Sequence, residues 1–144
     1  MTRRKLFLYS LDNEPLLGPR QLGPLGWEVF TTSDVGSARA LIDDHDFYLG
    51  IVCLNREYGD ISHLEELLLT NNSTEWIAIV APVFRQSSSF CKLIEGVFYD
   101  YHTLPLDIGR LAVTLGHAYG KAELKHRLIR RIEGMGEYQM IGTK

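Results

Sequence analysis

Five short apolar runs set the rhythm of the chain. They are Leu6-Phe7-Leu8-Tyr9, residues 27–31, Leu49-Gly50-Ile51-Val52-Cys53-Leu54, residues 76–81 stopped by Pro82, and residues 98–104 closed by Pro105. Runs this short and nearly continuous predict strands buried on both faces, as in a parallel sheet. Helical signals fill the gaps between them. Pro15 suits the first turn of a helix reaching about residue 25, made irregular by Pro19 and Pro24. Ser33-Asp34 can cap a helix bearing Val35, Ala38, Leu41 and Ile42 on one face. Ser62-His63-Leu64-Glu65 has the spacing of a capping box and opens a helix through Leu69. Residues 87–97 read as a helix, and a long one runs from Asp107 to about Arg131, interrupted by Gly109, Gly116 and Gly120.

Strands alternating with helices imply βαβ units. The expected fold is α/β, a five-stranded doubly wound parallel sheet with helices on both faces and an extended last helix. Ligands of such sheets sit beyond the carboxyl ends of the strands. Chemistry is therefore expected at residues 10–12, 53–55, 80–82 and 104–105.

At 144 residues the chain fits one domain with a short tail. Its content, 45% hydrophobic and 23% charged, excludes a disordered chain. The formal net charge of −3 gives no global attraction to nucleic acid or an anionic membrane. Cys53 and Cys91 lack metal-site spacing and read as small buried hydrophobes, which suits a reduced cytosolic compartment. Residues 1–5 are basic, but the apolar run after them is too short for a signal peptide or a membrane span. Neither a cofactor nor a membrane partner is expected.

Over about residues 5–122 the chain resembles the receiver domains of two-component response regulators, which have a flavodoxin- or CheY-like fold. The strongest marker is Asp100-Tyr101-His102-Thr103-Leu104-Pro105. It is similar to the receiver ending in which an aromatic, a lysine and a cis-proline close strand five. By this resemblance Tyr101 stands at the aromatic switch position and Leu104 replaces the lysine. Ser10 and Leu11 stand where receivers hold two Mg²⁺-binding acids, Cys53 at the phosphoacceptor aspartate, and Val80 at the Ser or Thr closing strand four. Mg²⁺ needs oxygen ligands, and phosphoryl transfer needs positioning and charge neutralisation. A pocket of Ser10, Leu11, Cys53, Val80 and Leu104 offers neither, so no catalytic or metal site is expected there. Asp12 and Asp60 lie nearby in sequence, which leaves phosphorylation at a displaced acid open.

Residues 91–120 are also similar to the N-terminal domain of VpsR-type regulators of exopolysaccharide and biofilm matrix genes. Met140-Ile141-Gly142-Thr143-Lys144 resembles the opening of the AAA+ domain of sigma-54-dependent activators. The resemblance implies a pseudo-receiver over 1–122, a helical linker over 123–139 and the start of an AAA+ domain at 140–144. It further implies a homodimer and, through other domains of a longer protein, ATP, DNA and sigma-54 RNA polymerase as partners. VpsR-type proteins respond to cyclic di-GMP; whether that ligand binds this domain or another is left open.

The expected function is thus regulation and dimerisation within a transcription activator, without enzymatic activity. A switch face of Tyr101, Leu111, Leu115, Tyr119 and Ala122 would alter subunit packing, and the long helix would pass the change on. Lys121, Lys125, Arg127, Arg130 and Arg131, with His126, interleave with Leu124, Leu128 and Ile129. That pattern reads as an amphipathic signal helix, a nucleic-acid interface being the other reading. His102, His117 and His126 include no pair at HxxxH spacing and read as solvated or capping side chains. The fold class also permits a flavodoxin-like nucleotide binder or small enzyme, although Ser10-Leu11-Asp12-Asn13 stands where a glycine-rich phosphate loop would.

Overall fold

A computed structural model describes residues 4–10, 17–54, 62–69, 74–82, 92 and 95–142. Among them are five strands: β1 (Arg4–Ser10), β2 (Trp27–Thr32), β3 (Leu49–Leu54), β4 (Glu75–Val80) and β5 (Phe98–Thr103). They form one all-parallel sheet in the order β2-β1-β3-β4-β5. The switch point of this order lies between β1 and β3, where a doubly wound sheet places its ligand crevice.

The apolar runs are continuous because both faces of the sheet are covered. Side chains alternate along each strand. Phe7, Tyr9, Val52, Leu54, Ala78 and Val80 therefore meet one cluster, closed by Ala38 of α2 (Val35–Asp44) and by Leu67 and Leu68 of α3 (Ser62–Leu69). Leu6, Leu8, Ile51, Cys53, Ile77 and Ile79 face the other cluster, with Leu17, Leu22 and the C-terminal helix. Gly50 is fixed by close approach. A Cβ there would stand 2.4 Å from the ring of Trp76, which Phe7 meets edge-on at 5.8 Å.

The first helical segment departs from the 15–25 expectation. Helix α1 spans only Pro19–Leu22, and a 3-10 turn follows at Gly23–Leu25. Pro24 supplies no N–H for a regular α-helical bond, so the turn tightens and ends at Gly26, whose φ is +97°. Asp34 caps α2 as expected. Its carboxylate accepts from Ser37 N at 2.8 Å, and these hydrogen bonds hold its pKa below the usual carboxylate value. The capping-box contacts of Ser62 and Glu65, and most of the helix expected over 87–97, lie outside the described residues.

The last helix, α4 (Ile108–Gly142), has 35 residues and no interruption. Asp107 opens it, its carboxylate accepting from Arg110 N at 3.2 Å. Gly116 and Gly120 each cost about 1 kcal/mol against alanine. Leu111, Leu115, Ala118 and Ala122 offset that cost by burying completely against the sheet. The helix crosses the sheet from carboxyl to amino edge: Lys121 reaches Glu75 at 3.6 Å, and Tyr119 packs on Trp27 at 5.4 Å. Ala122 is its last fully buried residue among those described. At 1.5 Å per residue, roughly 30 Å of helix extends beyond that point. It passes unbroken through 140–142, so the backbone marks no boundary between the expected linker and the segment after it.

Candidate functional site

The site is built where β4 and β5 end. Val80 pairs with Thr103, and the ladder closes with Leu104 N donating to Val80 O at 2.9 Å. The Leu104–Pro105 peptide is cis. Leu104 is half-buried, and its aliphatic side chain packs against the cluster that includes Leu111 and Leu115. This position therefore carries an aliphatic side chain in place of a cation. His102 is not solvated as expected. Its Nε2 lies 2.8 Å from Thr114 Oγ1, whose only proton goes to the Arg110 carbonyl at 3.2 Å. The hydroxyl therefore accepts, and His102 Nε2–H donates, tying β5 to α4.

Of the five residues expected to line one degenerate pocket, the four described divide between the two faces of the sheet. Cys53 is fully buried inside the sheet–α4 core, and burial pushes its thiol up to about 12. Ser10 lies beside it in register and is also buried. Val80 is fully buried on the opposite face of the sheet, with Val52 and Leu54. Leu11 lies outside the described residues. The pairing register explains the error. Cys53 pairs with Ile79 and Leu54 with Val80, and Leu104 follows the last paired residue of β5. Counting across from Leu104 reaches Ala81, whose N–H donates to Leu54 O at 2.9 Å. The level of Leu104 thus lies beyond Leu54, the last residue of β3, and not at Cys53. Asn55, Asp12 and Asp60 lie outside the described residues.

A family model, the VpsR domain, matches residues 1–116. The chain belongs to the VpsR family. No curated protein matches the sequence. Among solved structures, NtrX from Brucella abortus in complex with ADP superposes with a TM-score of 0.70 at 21% identity. That similarity covers 88% of this chain and 29% of NtrX, so the VpsR domain spans under a third of that protein. The signal receiver domain of a LuxO repressor protein from Vibrio parahaemolyticus gives 0.67 at 19% identity, covering 88% of this chain and 98% of that one. An adenylate cyclase structure from Rhodopirellula baltica gives 0.70 at 14% identity, covering 92% and 98%. These likenesses establish the CheY-like receiver fold. Family and fold agree with a receiver-like domain of a VpsR-type activator.

Within the VpsR domain the expected switch residues divide. Leu111, Leu115 and Ala122 are fully buried against the sheet. They hold the fold and present no surface to a partner, which corrects their place in a docking face. Tyr119 is half-buried between Trp27 and Tyr48, and burial raises its phenol above the usual value. Tyr101 is half-buried on the sheet face away from α4, and with His102, Asp107 and Arg110 it lines a cleft of about 360 Å³. Among the described residues no three His, Cys, Asp or Glu side chains gather as metal ligands, and no helix is long and apolar enough to cross a membrane. The sequence pattern put Leu124, Leu128 and Ile129 on an amphipathic helix, and the structure adds Ile132 to their stripe. Leu124, Leu128 and Ile132 recur every fourth residue with Ile129 beside them, and they are 56%, 49%, 68% and 41% exposed respectively.

Proposed function

We propose that the chain is a regulatory and dimerisation domain of a sigma-54-type transcription activator that signals through α4 rather than through a phosphorylated aspartate. The observation that carries this reading is the exposed apolar stripe of Leu124, Leu128, Ile129 and Ile132, on the part of α4 that extends past the sheet. An isolated helix gains little from such a stripe, whereas two helices side by side bury it. The hydrocarbon at Leu104 supports the non-phosphorylated part of the reading, since a phosphoanion there would lack the lysine that neutralises it in receivers. In a longer protein the paired helices would lead to an ATPase and a DNA-binding domain. A ligand or partner preferring one packing would shift the population. Control of exopolysaccharide genes in response to cyclic di-GMP belongs to the same proposal, by family alone.

Light scattering across a concentration series tests it. The chain is expected to approach twice its 16.4 kDa mass, and a Leu124→Glu, Leu128→Glu double variant to stay at one chain mass with an unchanged melting curve. A parent chain that remains a single chain at every concentration would contradict the reading.

A further inference from the structure

At the amino edge of the sheet, α4 and the start of β1 enclose a cleft of about 520 Å³. Two of its cations are anchored. The Arg4 guanidinium lies 4.2 Å from the Trp27 ring centroid and 5.2 Å from that of Tyr119. Cation–π contact of this kind uses the flat face of the guanidinium and spares its edge N–H groups. Lys5 Nζ donates to His45 Nδ1 at 3.2 Å, which leaves two further protons on the ammonium. Arg4 pairs with no carboxylate among the described residues.

The rest of the lining is mixed. Glu123 already accepts from Arg127 at 3.1 Å, so that pair neutralises itself. Asp46 joins the rim with no ion pair among the described residues. Tyr48 and His126 form an aromatic wall, stacked at 4.0 Å with 24° between their planes. Around a helix of 3.6 residues per turn, Tyr119, Glu123 and His126 fall on the flank opposite Leu124, Leu128 and Ile132. The cleft therefore stays open when two α4 helices pair along the apolar stripe.

We propose that this cleft docks an acidic segment of a partner protein, with side-chain carboxylates of the segment on Arg4 and Lys5 and one of its aromatic side chains against the Tyr48–His126 stack. The free edge of a guanidinium held by its face suits a carboxylate, and clusters of this kind read acidic motifs. The carboxylate of Asp46 decides between classes of partner. A polypeptide brings backbone N–H donors to it together with its own acids, whereas a phosphodiester chain brings only acceptors and negative charge. Bulk attraction of anions would need no aromatic wall, and the chain as a whole carries −3. The surface goes beyond the dimerisation reading and does not depend on it. A segment seated there touches α4 where the helix leaves the sheet, and one that preferred a single packing of the helices would shift the population.

Fluorescence anisotropy on the full chain tests the proposal. The probes are labelled short peptides rich in Glu and Asp around a single Phe, Tyr or Trp, with Gln and Asn counterparts as controls and a single-stranded oligonucleotide as competitor. The acidic peptides are expected to bind saturably, and more weakly at high salt, while their neutral counterparts do not bind. Arg4→Glu should weaken binding by about tenfold or more. Lys5→Gln is the second variant and should weaken it in the same direction. Arg131 is exposed on α4 outside the cleft, so Arg131→Glu makes the same charge change and should stay within about twofold of the parent. A melting curve of each variant separates lost binding from lost folding. No saturable binding by any acidic peptide overturns the proposal, as do equal losses from Arg4→Glu and Arg131→Glu. Preferential binding of the oligonucleotide would overturn it in favour of a nucleic-acid surface. The Leu124→Glu, Leu128→Glu double variant should still bind the peptides, so failure of the cleft and failure of the dimer reading are told apart.

Discussion

Two residues inside the sheet give direct tests of the packing. Cys53 is fully buried in the core, and that burial raises its pKa from 9.0 to about 12. In a Cys91→Ser variant, Cys53 should resist thiol reagents at pH 8 in the folded state and react at once in denaturant. Modification of the folded chain at the rate seen in denaturant would contradict its burial. The thiol also carries a pH signature. Folded and unfolded chains are both protonated there below about pH 9, and between pH 9 and 12 only the unfolded chain loses the proton. Its contribution to stability is therefore intact below pH 9 and lost as pH rises towards 12. Gly50→Ala forces a methyl group into the Trp76 ring and should cost about 1–3 kcal/mol in urea unfolding; an unchanged midpoint would mean the ring can move aside. Sequence alone could not place Cys53. A run apolar on both faces shows that a strand is buried but hides where it stops, and only pairing with β4 and β5 fixes the level of the crevice.

Elements were easier to foresee than their ends. All five strands follow from apolar runs, because a parallel sheet covered on both faces leaves no polar alternation to blur them. Helix α2 follows from Asp34, a cap that acts locally. The first helix was over-extended, since proline allows a turn without saying which kind. Helix α4 was under-extended, because glycine lowers propensity while the burial that overrides it is set by the sheet. That burial makes the two faces of α4 distinguishable by experiment. Leu115→Ala empties a fully buried site and should cost about 2–5 kcal/mol, whereas Leu128→Ala, half exposed, should leave the isolated domain nearly as stable. Equal losses from the two in a thermal or urea melt would show that α4 is docked along its length. Tyr48 and Arg4 carry no sequence signal of a site. They lie on separate elements, and only the crossing of α4 over the sheet edge brings them to Tyr119 and His126.

At the scale of the molecule, the receiver fold is kept, Leu104 stands as hydrocarbon where β5 ends, and the longest described element projects beyond the sheet. A receiver switches by placing a metal and a phosphoanion between acids, a hydroxyl and a lysine. Here the lysine position holds Leu104, packed into the core, and the level of the crevice passes Ala81. On the proposed reading the signal enters elsewhere, and among the described residues α4 contacts the sheet along one half and leaves it along the other. The central claim is that this domain regulates without accepting a phosphoryl group. Intact mass spectrometry of the chain after incubation with acetyl phosphate and Mg²⁺ tests it most directly. The account predicts an unchanged mass, and a stoichiometric gain of one phosphoryl group would contradict it.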